Sequence, residues 1–103
     1  KAATAMTYML NKKYMPFYKW AHHGLQYLPI LSDMYEKITA LATTADTAMA
    51  IARIEEICEI IRTEWRHQGL ATGTDSFLLA YAPMLISHIQ NDTLRRLPAW
   101  QLY

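Results

Sequence analysis

Residues 47–68 constrain the fold more than any other part of this chain. Ile51, Ile54, Ile57, Cys58, Ile61 and Trp65 recur there at steps of three and four, which lines them up on one face of an α-helix. Glu55, Glu56, Glu59, Arg62 and Arg66 occupy the remaining surface. Asp46 is a good cap at the start and Gly69 a stop at the end, so the pattern predicts a helix of about six turns. A helix apolar along one face must be covered by other elements. The rest of the chain offers helices for that purpose: it has only three glycines and four prolines and shows no strand-like alternation. The expected fold is all-α, a bundle of four to five mostly antiparallel helices, as the short connections imply. Its 103 residues make one domain, 1–103, and 52% of them are hydrophobic. A chain of this size buries roughly 60–65% of its unfolded surface on folding.

The other helices follow from the same reading. Residues 2–10 look like the tail of a helix with Ala5, Met6, Met9 and Leu10 on one side, and Asn11 is a plausible left-handed stop. Pro16 suits the first turn of a second helix, residues 17–28, striped by Phe17, Trp20, Ala21, Gly24, Leu25 and Leu28. Gly24 weakens that helix and is expected where another helix crosses closely. Ser32 or Asp33 should cap a third helix, 34–42, with Met34, Ile38 and Leu41 inward and Tyr35 beside them. Asp75 or Ser76 should cap a last major helix, 77–90, kinked or broken near Pro83 because proline removes the bond back to Leu79. A short turn over 93–97 follows, and Trp100 in the apolar tail should pack back on the bundle or on a neighbouring domain.

Charge is unevenly distributed. Residues 1–32 hold Lys1, Lys12, Lys13 and Lys19 and no acid, whereas 33–64 hold seven acids against Lys37, Arg53 and Arg62. The positive end can face phosphates or an acidic partner; it can equally keep an aromatic surface soluble. The single cysteine, Cys58, excludes an internal disulfide and suggests a reducing compartment, so a cytoplasmic location is expected. No apolar run reaches the ~20 residues of a membrane span. The chain opens at Lys1 inside an apolar pattern, which suggests a domain excised from a larger protein.

The densest chemistry lies in Asn11-Lys12-Lys13-Tyr14-Met15-Pro16-Phe17-Tyr18-Lys19-Trp20. Asn11, Lys12, Lys13, Tyr14, Tyr18 and Lys19 are the candidate substrate-binding residues. Lysines at a helix junction can hold phosphate, amides at a helix start favour anions, and Tyr14, Tyr18 or Trp20 can stack a base. The competing structural role has Pro16, Phe17 and Trp20 anchoring the turn to the core while the lysines meet water.

Other constellations are weaker. His22 and His23 diverge by about 100° on a helix, which suits one surface and one partly buried histidine better than a chelate. Glu64-Trp65-Arg66-His67 is half of a di-iron ligand set without its second copy. Glu55, Glu56 and Glu59 suit a solvated face supported by Glu59–Arg62 better than a metal site. Gly-rich phosphate loops, Cys-x-x-Cys and Gly-x-Ser-x-Gly are absent. No catalytic residue, metal or cofactor is therefore expected in this domain. Arg62 and His67 form an Arg-x4-His pattern that resembles the motif of HEPN-type ribonucleases, although Thr63 stands where that family usually has a more polar residue such as Asn, Asp or His. That alternative is a ribonuclease or toxin–antitoxin bundle; another is a purely structural or dimerising bundle.

Over Leu10-Asn11-Lys12-Lys13-Tyr14-Met15-Pro16-Phe17-Tyr18-Lys19-Trp20 the chain resembles an uncharacterised bacterial domain family. There an Asn-Arg-Arg-aromatic-x-Pro-x-x-Lys-Trp segment follows a nucleotidyltransferase-like domain. Phe77-Leu78-Leu79 and Asp92-Thr93-Leu94-Arg95-Arg96-Leu97-Pro98-Ala99-Trp100 are similar to that family's C-terminal end. Lys12 and Lys13 stand where the family carries arginines, which replaces bidentate contacts by point charges. The resemblance implies a helical accessory domain, without catalysis of its own, that binds substrate or nucleotide phosphates or docks on the catalytic domain. The implied partners are that upstream domain, a nucleotide or RNA, and possible homodimerisation; no membrane is involved.

Overall fold

The structure, a computed structural model, describes residues 1–73 and 77–96, with the backbone alone at Tyr18 and Leu94. The protein is an all-α helical bundle. Its elements are α1 (Ala2–Leu10), α2 (Tyr18–Gly24) running into a 3₁₀ turn (Leu25–Tyr27), α3 (Met34–Ala42), α4 (Thr47–His67), a 3₁₀ turn (Leu78–Tyr81), α5 (Ala82–Ile86) and α6 (Asp92–Arg96). Two compact units divide it, Lys1–Ile61 and Arg62–Tyr103, with the division falling inside α4. No helix of the described residues is long and apolar enough to cross a membrane.

In the first unit Tyr8, Ala21, Leu25 and Leu28 form a core cluster, with Tyr35 and Ile38 packed against it. Thr7, Leu25 and Met34 are wholly buried. Burying a side chain of the size of Leu25 or Met34 contributes roughly 1.5–3 kcal/mol. The α1 face that turns inward is Thr4, Thr7, Tyr8 and Leu10; of the expected stripe Ala5, Met6, Met9 and Leu10, only Leu10 is buried. Thr7 is tolerated inside because its hydroxyl donates back to the Ala3 carbonyl at 2.7 Å. Tyr8 carries its hydroxyl to the Ala21 carbonyl at 2.8 Å, and burial raises the phenol above its ordinary pKa. Its oxygen occupies the space a β-carbon on residue 24 would need, so Gly24 does mark a close crossing.

Phe17 and Trp20 do not anchor the core. They are 62% and 66% exposed. Phe17 is the N-cap of α2 in an extended conformation (φ −49°, ψ 140°), which moves it off the helical stripe and leaves Pro16 before the cap. Trp20 is about 100° around the helix from Ala21, and the buried line is Ala21, Leu25 and Leu28. The helix tightens to 3₁₀ at Leu25 and ends at Leu28, whose extended ψ of 147° is what a following proline requires.

α3 has the expected bounds. Asp33 is its N-cap, although its side chain bonds no amide of the first turn. α4 also starts as expected, with the Asp46 carboxylate accepting from the Ala48 amide at 3.0 Å. Its apolar stripe is covered along only part of its length. Ile57, Ile61 and Trp65 are buried, whereas Ile51 and Ile54 are about half exposed. A hydrogen-bonded ion pair joins α3 to α4, Lys37 Nζ to Glu56 Oε1 at 2.7 Å.

The second unit is organised around Trp65 and Tyr81, each 2% exposed, with ring centroids 5.7 Å apart. The expected helix over 77–90 is broken. A 3₁₀ turn ends at Tyr81 and α5 restarts at Ala82, with Pro83 in its first turn where the missing N–H costs nothing. The expected caps Asp75 and Ser76 and the expected packing of Trp100 lie outside the described residues.

Candidate functional site

α1 ends in a Schellman motif. The Lys12 amide bonds the Met9 carbonyl at 2.9 Å and the Lys13 amide bonds the Tyr8 carbonyl at 3.1 Å. The left-handed residue of this motif is Lys12 (φ 57°); Asn11, expected there, is right-handed (φ −84°). α4 ends the same way, through Gly69 (φ 72°), with Gly69 bonding Arg66 and Leu70 bonding Trp65. Position for position, Lys12 stands where the other helix has glycine.

Asn11 instead locks the segment in place. Its Nδ2 donates to the Thr7 carbonyl at 2.8 Å and to the Ile30 carbonyl at 3.0 Å, and its Oδ1 accepts from the Ile30 amide at 2.9 Å. Both amide protons are thereby engaged, so Asn11 positions the segment instead of offering donors to a ligand. Leu31, directly after Ile30, is also left-handed (φ 58°). The clamp is thus flanked by two non-glycine residues in a costly conformation.

With its exit fixed, the chain closes an open groove of about 400 Å³ lined by Ala5, Tyr8, Met9, Lys12, Lys13, Tyr14 and Met15. Ala5 and Met9, left on the outer face of α1, form the apolar wall. Tyr14 is fully exposed. Lys12 and Lys13 are also exposed and sit at the negative end of the α1 dipole, which favours cations. The structure therefore brings Lys12, Lys13 and Tyr14 together. Lys19 is exposed on α2 and does not line the groove, and the side chain of Tyr18 lies outside the described residues. With seven residues, α2 is too short for its N-terminal amides to make an anion site of their own.

The remaining candidates have structural surroundings. His22 is half-buried between α2 and α3, stacked on Tyr35 at 4.7 Å, with Nε2 3.0 Å from Thr39 Oγ1. The Thr39 hydroxyl gives its proton to the Tyr35 carbonyl, so His22 Nε2 must be the donor. His23 is exposed beside Gln26. Glu64 lies against His67 at 3.6 Å and against Gln68 at 2.9 Å. Arg62 and His67, five positions apart on one continuous helix, point about 140° away from each other. Cys58 is half-buried, and burial, then Glu55, raises its thiol pKa, which disfavours the thiolate. Among the described residues no three His, Cys, Asp or Glu side chains converge on a metal position.

Within the segment 11–20, Phe17 and Trp20, expected on the covered side, stand exposed. Pro16 gave no signal of this: at the first helical position it would place Phe17 inside the helix, whereas α2 starts at Tyr18 with Phe17 as its N-cap. The fold and this groove define a class, an all-α bundle with a cationic, aromatic rim at one helix end. No family model matches the chain, and comparison with curated proteins and with solved structures finds no match either.

Proposed function

We propose that this bundle is an accessory, non-catalytic domain of a nucleotidyltransferase-like protein, and that its groove holds phosphates of the substrate or nucleotide. The observation that carries this reading is the meeting of Lys12, Lys13 and Tyr14 in one open groove. The acid-free stretch 1–32 adds to it, since no carboxylate of that stretch competes with a phosphate for the lysines. The resemblance of segment 10–20 supplies the protein context. Asn11 acts as the positioning residue, and Lys19 adds a third cation from α2. The same surface can instead dock on the catalytic domain, whose own carboxylates would bind the metals.

The test is a titration of the 103-residue protein with Mg-ATP and with a short single-stranded RNA, followed by tryptophan fluorescence at two salt concentrations. Binding should weaken with salt. The Lys12→Ala/Lys13→Ala double variant should lose most of it and should lower the slope of log affinity against log salt by about 1.4 for the single strand. Absence of binding to both ligands, or an unchanged double variant, overturns the phosphate role and leaves docking on the catalytic domain.

A further inference from the structure

Within residues 12–20, Tyr14 is fully exposed, Phe17 is 62% exposed and Trp20 is 66% exposed, and Lys12, Lys13 and Lys19 are exposed among them. Three large aromatic side chains left in water over seven positions is costly surface for a chain of this size, and soluble proteins keep such patches small unless they serve binding. The local structure explains how they stay out. The Asn11 clamp on Ile30 and the left-handed Lys12 turn the chain away from α1, and the extended Phe17 delays α2 until Tyr18. Trp20 is then tied one turn into α2, its amide bonded to the Phe17 carbonyl at 2.8 Å, with its ring outside the Ala21–Leu25–Leu28 line.

We infer that this strip binds single-stranded nucleic acid, with bases stacked on Tyr14 and Trp20 and the backbone phosphates met by Lys12, Lys13 and Lys19. The inference rests on the phosphate-binding reading above and deepens it by naming the ligand class. Three considerations select a single strand. Cations interleaved with exposed rings match a polymer that alternates phosphates with planar bases. A free nucleotide has one base and uses one ring. A duplex keeps its bases stacked inside and offers no face to either ring. Charge complementarity is built in, because the strip lies in the stretch with four lysines and no acid.

The experiment compares four probes on the same protein: a twelve-residue oligouridylate, an inorganic polyphosphate of similar charge, Mg-ATP and a twelve-base-pair DNA duplex. The variants are Trp20→Ala, Trp20→Phe and Tyr14→Ala, each at an exposed position, with a thermal melt to confirm folding. The oligouridylate should bind more tightly than the other three probes and change the emission of Trp20. Trp20→Ala and Tyr14→Ala should each lose roughly tenfold in affinity for it, with polyphosphate affinity unchanged. Trp20→Phe, which keeps a ring, should recover much of the loss. If polyphosphate binds as well as the oligonucleotide and the aromatic variants change nothing, the single-strand inference fails while the phosphate role of the lysines stands. If no probe binds, both fail and the strip is a protein-docking surface.

Discussion

Asn11 and Ile30 are joined as if by a short strand pairing: the carboxamide gives a proton to the Ile30 carbonyl and takes one from the Ile30 amide. Nineteen positions separate them. This pairing holds the chain leaving α1 against the chain leaving the 3₁₀ turn after α2, and it sets where Lys12 and Lys13 emerge.

Asn11→Ala should destabilise the protein by about 0.5–1.5 kcal/mol, because the bonds to Ile30 are lost while the freed, exposed backbone groups turn to water. Asn11→Asp should be worse than alanine, since a carboxylate would face the Thr7 and Ile30 carbonyls that now receive protons. Urea denaturation midpoints of the two variants check the order. Asp equal to wild type would show that the clamp contributes nothing.

Lys12→Gly should stabilise the fold by about 1 kcal/mol, since glycine removes the penalty of a left-handed non-glycine residue. Gly69→Ala should cost about the same amount through φ alone, because no atom lies within 4 Å of the added carbon. Thermal melts of the two variants should therefore shift in opposite directions. The first variant should also bind phosphate ligands more weakly, which would separate the stability of the turn from the use of its side chain.

Gly24→Ala reverses the usual rule. In an unobstructed helix the change gains about 1 kcal/mol; here the new carbon meets the Tyr8 hydroxyl, and a loss of about 1–3 kcal/mol is expected. Tyr8→Phe removes the obstructing oxygen at the cost of the bond to Ala21. In the double variant the alanine should then cost little or nothing. A double-mutant cycle measures this coupling, and simple additivity would contradict the crossing.

Lys37 and Glu56 predict a pH dependence. Their hydrogen bond lowers the Glu56 carboxyl below its ordinary range and raises the Lys37 amine above its own. A lowered carboxylate contributes stability above its unfolded value and loses it as pH falls through the folded one. A raised amine contributes below its unfolded value and loses it as pH rises through the folded one. The contribution should thus be complete between about pH 5.5 and pH 9.5, and fade at both ends. Side-chain exposures of 28% and 53% keep it small. The stability gap between wild type and Glu56→Gln should be level near neutrality and close as the pH falls below the ordinary carboxylate range. A gap that stays open in acid would assign it to something other than this pair.

Where helices lie was legible because periodicity and end signals are local. Residues 34–42 and 47–67 follow from the spacing of Met34, Ile38 and Leu41 and of Ile57, Ile61 and Trp65, closed by Asp46 and Gly69. The break near Pro83 was legible for the same reason: a missing N–H acts within one turn. The Schellman turn at Lys12 was not, because its signal is glycine and lysine carries none. The clamp between Asn11 and Ile30 was not, since nothing along the chain says which carbonyl an asparagine will find.

By itself, then, the sequence determined an all-α bundle, the helix ends marked by asparagine, aspartate, glycine or proline, and a cationic aromatic segment between the first two helices. Only the tertiary structure decided which side of each helix is covered. It buried Thr7 and left Met9 in the groove wall, covered Ile57 and left Ile51 and Ile54 half exposed, and put Phe17 and Trp20 in water. Apolar side chains at helical spacing state a wish for cover. Whether they receive it depends on neighbours brought from elsewhere in the chain and on hydrogen bonds, such as that of Asn11, that fix how the chain arrives.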